Sequence, residues 1–234
     1  MVRVGPKRNV STEEEKRLAA QASMRFVHDG NVVGLGSGST ADYAIRQLGE
    51  RVRSGLKIVG IPASFRTRDL AAESGVPLAT LDEYQEIDVT IDGADEVSPS
   101  LDLIKGGGGA LLMEKIIASN SKQFVVIADH TKQVPILGHT PVPVEVVPQA
   151  QAVLAKKFTA MGALVQLRQY TFGNPYVTEE GHQILDCLFK EIENPQELGH
   201  RLDSIPGVVE HGLFVGMANV VLIAKGGEVV ELRR

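Results

Sequence analysis

The chain has 234 residues, of which 43% are hydrophobic and 23% are charged, a composition typical of a soluble globular protein with a sizeable core. Its formal net charge of −5 argues against a nucleic-acid partner held by a broad basic face. The single cysteine excludes an internal disulfide, and neither a secretory signal nor a stretch long enough to span a membrane is expected. We therefore predict a cytoplasmic protein without a membrane partner, with a loose extension over residues 1–9.

Helices and strands alternate over the first 130 residues. A capping box at Ser11 and Glu14 begins the first predicted helix, which ends near Gly30. The next predicted helices span residues 41–49, 66–74 and 111–118, and the predicted strands span residues 31–36, 57–61, 77–81, 87–91 and 124–129. This alternation predicts the α/β class, with a doubly wound, mostly parallel sheet.

The pattern changes after residue 138, where four prolines between Pro135 and Pro148 indicate a domain boundary. The elements predicted beyond it are helices over 150–161 and 195–202, strands over 163–168, 182–189 and 208–214, and a hairpin over 219–224 and 228–232 that returns to the main sheet. We predict an α/β catalytic domain from residues 1–139 and 218–234, and a second, smaller α+β domain from residues 140–217. Cys187 lies in an apolar run, so we interpret it as a buried thiol rather than a nucleophile.

An acidic and glycine-rich stretch follows the predicted strand at 87–91. The 23 positions from Asp92 to Glu114 include one lysine, four consecutive glycines and the carboxylates of Asp92, Asp95, Glu96 and Glu114. The carboxyl end of a parallel strand is where open α/β sheets bind ligands. Backbone around glycines can approach a ligand closely, and the start of a helix offers free N–H groups. An Asp-Gly turn or a Lys-Gly linker explains either half alone, but the combination predicts a site for a small polar molecule.

A second glycine-rich turn, over residues 34–40, joins a predicted strand to a helix. Backbone N–H groups, the helix dipole and hydroxyl donors converge there, as a phosphate group requires. The turn is not a Walker loop, because no lysine precedes the Ser/Thr pair. Its glycine spacing is also one residue short of the dinucleotide fingerprint. We interpret it as a phosphate-binding turn, with an ordinary glycine turn as the alternative.

Taken together, these motifs resemble those of the type A ribose-5-phosphate isomerases. The likeness runs from about Glu13 to the C-terminus, except for a few residues around 169–174, to which no function is carried. It implies an aldose–ketose isomerase that interconverts ribose 5-phosphate and ribulose 5-phosphate in the pentose phosphate pathway. It also implies a homodimer or homotetramer that binds a small sugar phosphate and uses no cofactor and no metal.

The resemblance also implies roles for individual residues. Glu114 matches the general base, Asp92 and Asp95 match an acidic pair, Asp92 being associated with ring opening, and Lys105 matches a lysine that contacts the substrate. The implied substrate-binding residues are Lys16, Ser37, Gly38, Ser39, Thr40, Gly93, Ala94, Gly106, Gly107, Gly108 and Lys132. Without the resemblance, the position of Lys16 on a helix favours a solvated side chain. None of the six histidines falls in a metal-ligand spacing.

The implied chemistry agrees with these residue types. Moving a carbonyl by one carbon requires a proton to leave C2 and return to C1 through an ene-diolate, which a carboxylate can shuttle. Lys105 and glycine amides could stabilise the negative oxygen. The helix dipole lowers the pKa of Glu114 and desolvation raises it, and the sequence does not decide between the two effects.

The sequence is also compatible with two other classes of protein. A sugar-phosphate sensor of related fold would keep the Ser39-Thr40 turn but would need no base at Glu114, and would usually carry a DNA-binding module. An acyl-CoA transferase would use a glutamate nucleophile and would need room for a large cofactor.

Overall fold

The computed structural model describes residues 10–234, so the extension predicted for residues 1–9 lies outside the described residues. The helices are α1 (Thr12–Ser23), α2 (Ser39–Arg53), α3 (Phe65–Ser74), α4 (Leu111–Ser119), α5 (Gln151–Ala160) and α6 (Pro195–Asp203). The strands are β1 (Val32–Leu35), β2 (Val59–Pro62), β3 (Ile87–Asp92), β4 (Glu96–Val97), β5 (Leu103–Ile104), β6 (Ser121–Asp129), β7 (Val142–Val146), β8 (Leu164–Leu167), β9 (Gln183–Leu188), β10 (Val208–His211), β11 (Leu213–Phe214), β12 (Val220–Lys225) and β13 (Glu228–Arg233). In the described part of the chain, no helix combines the length and apolarity needed to cross a bilayer.

The main sheet has six strands in the order β13-β12-β6-β3-β1-β2. The five strands from β12 to β2 run parallel, and only β13 is antiparallel, because it returns from β12 through a hairpin. Helices cover both faces: Leu48 of α2 and Leu70 of α3 pack in the core on one face, and Ile117 of α4 packs against Ile61 and Ile87 on the other. The predicted doubly wound α/β fold is confirmed.

Local signals in the sequence explain where the helices begin. The Ser11 hydroxyl accepts a hydrogen bond from the Glu14 N–H, so one half of the predicted capping box forms. The Glu14 carboxylate pairs with Arg17 instead of returning to Ser11. Ser64 caps α3 through the Thr67 N–H, and the left-handed Gly75 ends that helix.

The smaller sheet has four antiparallel strands in the order β10-β7-β9-β8, covered by α5 and α6. Its central strand β7 was not predicted, because the prolines around it resembled a boundary. Pro143 is tolerated there because the pairing of β7 with β10 ends at Val144, so no ladder bond on that side needs a Pro143 N–H. Cys187 of β9 is fully buried, and burial raises the pKa of its thiol to about 12, in agreement with a core residue.

A third sheet has three strands in the order β11-β5-β4. Its Ile104 and Leu213 pack in the core of the small sheet, and its Leu103 and Phe214 pack with residues of the main sheet. The strand predicted over 208–214 is divided at Gly212, where its pairing changes from β7 to β5. Glycine is needed there because a Cβ would lie 2.2 Å from the Lys105 carbonyl oxygen. The prediction of a strand over residues 77–81 is wrong, since that segment forms only a single bridge between Leu78 and Gly60. The third sheet takes strands from both predicted domains, so their boundaries at 139/140 and 217/218 stay a prediction.

Candidate active site

A cleft opens where the carboxyl ends of β1, β3 and β6 meet, three strands that are neighbours in the main sheet. Its cavity volume is about 90 Å³, which is below the range of sites for drug-sized ligands and leaves room only for a small molecule. It is lined by Ser37, Gly38, Ser39, Thr40, Gly93, Ala94, Asp95, Lys105, Gly106, Gly107, Gly108, Glu114 and Lys132. These segments are far apart in the chain, and all of them were among the residues that the sequence singled out.

The 37–40 turn carries the N-terminus of α2 to the wall of the cleft. Gly38 has φ of 113°, which favours glycine, and no side chain of residues 10–234 caps the helix at this position. The hydroxyl of Ser37 lies 3.2 Å from that of Ser64, while Ser39 is exposed and Thr40 is buried. An uncapped helix start with adjacent hydroxyls is suited to an anion.

Asp92 lies beneath the cleft rather than in its lining. Its Oδ1 accepts hydrogen bonds from the N–H of Ser37 at 3.1 Å and of Gly93 at 2.7 Å. A Cβ on Gly36 would lie 2.0 Å from that same oxygen, so only glycine permits this approach. Asp92 therefore joins the turn after β1 to the turn after β3.

Lys105 is the buried cation of the site. Its Nζ donates to the Gly93 carbonyl at 2.7 Å and lies 2.8 Å from Asp92 Oδ2 and 3.3 Å from Glu114 Oε2. None of the three charged side chains is more than 3% exposed. Burial opposes the charged form of Lys105, but the carboxylates of Asp92 and Glu114 outweigh it and raise the pKa of the ammonium. Lys105 therefore stays protonated.

Glu114 lies in the first turn of α4, and burial raises the pKa of its carboxyl to about 8 even though Lys105 acts in the opposite direction. Desolvation, with the negative charges of Asp92 and Asp95, therefore outweighs the charge of Lys105. Burial also raises the pKa of Asp92, but two backbone N–H groups and Lys105 stabilise that carboxylate. The contact from Lys105 to Glu114 Oε2 lacks hydrogen-bond geometry, so Glu114 is the less well stabilised of the two carboxylates. A carboxyl with a pKa near neutrality is suited to general base catalysis.

The glycine loop, residues 106–109, forms the opposite wall. The N–H of Gly107 donates to Asp95 Oδ2 at 2.8 Å, and a Cβ on Gly107 would lie only 2.9 Å from that oxygen. Gly106 and Gly109 have φ of 91° and 87°, values that favour glycine. The loop can therefore bring its backbone N–H groups directly to a ligand.

Lys16 is the one predicted binding residue that lies outside this lining and away from the buried charges beneath it. Its Nζ is 2.6 Å from Glu13 Oε1, and the other Glu13 oxygen accepts from the Tyr43 hydroxyl of α2 at 2.9 Å. The Lys16 side chain is 15% exposed, so it is not the freely solvated group that its helix alone indicated. Its contact with phosphate stays a prediction.

Two side chains next to the glycine loop were not predicted. Arg168, directly after β8, donates to the carbonyls of Gly106 and Gly107, and the Tyr176 hydroxyl would lie 2.3 Å from a Cβ on Gly109. Both come from the antiparallel region about 60 residues farther along the chain, and no local pattern in the sequence connects them with the loop.

Two groups of potential metal ligands occur within residues 10–234. They are Glu15, Asp129 and His130, and Asp203, Glu210 and His211. In the first, Glu15 accepts from His130 and from the Gly226 N–H, and in the second Lys115 Nζ lies 2.5 Å from Glu210. Internal bonds thus occupy both groups, and neither contributes to the lining of the cleft.

The comparisons with known proteins agree with one another. The sequence profile of the family described as ribose 5-phosphate isomerase A (phosphoriboisomerase A) matches residues 59–228. The ribose-5-phosphate isomerase A of Nitrobacter hamburgensis is 49% identical over 93% of this chain and 97% of its own length. That of Gloeobacter violaceus is 51% identical over 93% of this chain and 95% of its own length.

Solved structures give the same result. A D-ribose-5-phosphate isomerase in complex with phospho-erythronic acid superposes with a TM-score of 0.94 at 41% identity, covering 96% of this chain and all of that one. The ribose 5-phosphate isomerase A of Methanocaldococcus jannaschii gives 0.92 at 42% identity, with the same coverage of both chains. With relatives this similar over nearly the whole of both chains, this chain belongs to the ribose 5-phosphate isomerase A family.

Proposed function

We propose that this isomerase interconverts ribose 5-phosphate and ribulose 5-phosphate through an ene-diolate, with Glu114 as the base. The observation that carries the proposal is the Glu114 carboxyl, which is 3% exposed, has a pKa near 8 and lies beside a permanently charged Lys105. Membership of the family and the small volume of the cleft favour this function over the sensor and the acyl-CoA transferase that the sequence left open.

The substrate binds with its phosphate at the 37–40 turn, where the N–H groups of α2 and the hydroxyls of Ser39 and Thr40 serve as donors. Lys16 and Lys132 add positive charge on this side. The sugar carbons then extend toward Glu114 and the glycine loop. Asp92 and Asp95 assist ring opening, in which the C1 hydroxyl loses its proton, the bond from C1 to the ring oxygen breaks, and the ring oxygen takes up a proton to become a hydroxyl.

In the open-chain aldose, Glu114 removes the proton from C2. The electron pair of that bond forms a C1–C2 double bond, and the C1 carbonyl becomes an enolate oxygen. The same carboxyl then returns the proton to C1, while the hydroxyl proton on O2 moves to O1 and C2 becomes the carbonyl. Lys105 and the glycine-loop N–H groups stabilise the negative oxygen when it forms.

The ligand of the solved relative supports this sequence of steps. Phospho-erythronic acid combines a phosphate with a carboxylate, whose planar carbon and two oxygens imitate the planar ene-diolate. We expect it to bind the cleft of this protein with the carboxylate beside Lys105.

The reaction in heavy water tests proton transfer. We expect solvent deuterium to enter C1 of ribulose 5-phosphate, at least in part, because the proton rests on a carboxyl that can exchange. NMR of the product measures this. Complete transfer of the C2 hydrogen, together with a fully active Glu114→Gln variant, would contradict the proposal and indicate a hydride shift.

The cellular location, the pathway and the oligomeric state of the enzyme are also part of the proposal. We propose that it works in the cytoplasm and in the pentose phosphate pathway, without cofactor or metal and without a nucleic-acid partner. The family resemblance implies a homodimer or homotetramer, which analytical ultracentrifugation would distinguish.

A further inference from the structure

Arg168 reaches the glycine loop from the small antiparallel sheet without lining the cleft itself. One guanidinium nitrogen, Nη1, donates to the carbonyl oxygens of both Gly106 and Gly107, each at 3.1 Å. The other two nitrogens donate to Asp186, Nε to Oδ2 at 2.9 Å and Nη2 to Oδ1 at 2.5 Å. Asp186 lies on β9, paired with Gln166 of β8 and Pro143 of β7. Two nitrogens of the Arg168 guanidinium are therefore fixed by a strand of the small sheet, and the third, Nη1, donates to the glycine loop.

The two carbonyls that Arg168 holds determine where two N–H groups point. In a trans peptide, the C=O of one residue and the N–H of the next point in opposite directions. The first peptide is held from both sides, because the Gly106 carbonyl accepts from Arg168 while the Gly107 N–H donates to Asp95 at 2.8 Å. In the second, the Gly107 carbonyl accepts from Arg168, so the Gly108 N–H points away from Arg168.

The Gly108 N–H is the donor that this arrangement leaves for a ligand. Gly108 lines the cleft, and its N–H has no acceptor among residues 10–234. Glycine has no side chain to hold such a peptide in place, and Gly106 and Gly109 both adopt left-handed φ. Within the loop, the Gly109 N–H donates to the Gly106 carbonyl at 3.0 Å. The peptide between Gly107 and Gly108 has no such internal bond, so its orientation depends on contacts from outside the loop.

We propose that Arg168, held by Asp186, is a positioning residue that fixes the peptide planes of the glycine loop for the developing ene-diolate. In this arrangement the Gly108 N–H donates a hydrogen bond to the substrate oxygen, and the Gly107 N–H holds Asp95 in place. The inference rests on the proposed function, in which an oxygen next to the glycine loop becomes negative. It adds the pair of Arg168 and Asp186 to the residues on which the reaction depends.

The first test is Arg168→Met, which keeps the apolar stem and removes every donor. We expect kcat to fall by about 10- to 100-fold, as small misplacements in active sites do. The dissociation constant of phospho-erythronic acid should rise by a similar factor, since its carboxylate uses the same donors. The dissociation constant of inorganic phosphate should stay within about twofold, since the 37–40 turn is untouched.

Arg51→Met is the matched control. Arg51 also donates from its guanidinium to two backbone carbonyls, those of Met24 and Val27, but it lies away from the cleft. This variant should lower the melting temperature without changing kcat or the affinity for phospho-erythronic acid. A purely structural role for Arg168 would give the same pattern in both variants.

Arg168→Lys and Asp186→Asn keep the inference testable if Arg168→Met does not fold. Lysine keeps the charge but cannot hold Asp186 and two carbonyls at once, and asparagine weakens the fork. Both should give smaller losses of kcat with a parallel weakening of phospho-erythronic acid binding. Wild-type values for kcat and for this affinity in these variants, or equal losses of phosphate and phospho-erythronic acid binding, would overturn the inference.

These outcomes are distinct from a failure of the proposed function. If Glu114 were not the base, Arg168→Met would still weaken the binding of phospho-erythronic acid, which involves no proton transfer. If only the positioning role were wrong, the exchange of deuterium at C1 would remain.

Discussion

Glu114 and Lys105 lie 3.3 Å apart, and neither side chain is more than 3% exposed. Removing a carboxyl from water favours its neutral form, and an adjacent ammonium favours its charged form. In this site desolvation outweighs the ammonium, so the pKa of Glu114 rises to about 8 while Lys105 stays charged. A proton acceptor and an electrostatic stabiliser are thus buried side by side at the cleft.

The pH dependence of activity should report the raised pKa of Glu114. The base must be deprotonated in the free enzyme, so kcat/KM should rise with pH and level off above the pKa of about 8. Initial rates between about pH 6.5 and 9.5 measure this, a range that lies above the phosphate pKa of about 6. A flat profile across this range would show that no group with a raised pKa acts as the base.

The same pKa predicts how stability depends on pH. Unfolded, the Glu114 carboxyl ionises near its ordinary value of 4.5, whereas folded it keeps its proton up to about pH 8. The stability that this bound proton contributes is fully present below about 4.5 and is lost as the pH rises through about 8. Glu114→Gln has no such group, so it should become progressively more stable than the wild type over this window. Urea unfolding of both proteins at several pH values measures the difference, and a constant difference would contradict burial of the carboxyl.

Phosphate recognition should depend on the 37–40 turn. Ser39→Ala should lower kcat/KM by about 10- to 100-fold, because a hydrogen bond to a charged group contributes about 1.5–3 kcal/mol. Lys16→Ala should also lower it, and unphosphorylated ribose should be a far poorer substrate.

Ser54→Ala is the control for Ser39→Ala. Ser54 is the C-cap of α2, and its hydroxyl donates to the Glu50 carbonyl at 3.0 Å, at the end of the helix opposite to the cleft. Its kcat/KM should match that of the wild type. Equal turnover of ribose and ribose 5-phosphate would show that the turn does not bind the phosphate.

Activity should survive exhaustive chelation. Lys105 supplies the positive charge beside the reacting carbons, and the two carboxylate–histidine groups of the described chain do not line the cleft. We expect unchanged kcat and KM after dialysis against a chelator. Loss of activity that a divalent cation restores would contradict a purely proton-shuttling mechanism.

The sequence predicted the cleft better than it predicted the small sheet. The strand-to-helix turns around Ser37 and Gly106 are local patterns, and the rule that ligands bind at the carboxyl ends of strands brought them together. The strand β7 was missed because its prolines are local signals of a boundary, whereas its pairing with β9 and β10 is not local. The contacts of Arg168 were missed for the same reason, since only the folded sheet brings it to the glycine loop.

The pKa of Glu114 could not be predicted from the sequence for a different reason. The helix dipole can be inferred from the position of Glu114 in the first turn of α4. Desolvation depends on how closely the surrounding segments pack, which only the folded structure provides.

Glu114→Gln tests most directly whether Glu114 is the base. The variant keeps the shape and the capacity for hydrogen bonding but cannot accept the C2 proton. Glu96→Gln is the control, because the carboxylate of Glu96 is equally buried but accepts from the N–H groups of Gly138 and Thr140, away from the lining of the cleft.

The measurement is kcat for ribose 5-phosphate, with the affinity for phospho-erythronic acid as evidence that the site is intact. We predict that kcat of Glu114→Gln falls by at least ~10²–10⁴-fold, the usual contribution of a positioned acid–base group, with little change in KM. Glu96→Gln should lose much less. A Glu114→Gln enzyme that binds phospho-erythronic acid and turns over at the wild-type rate would contradict the account.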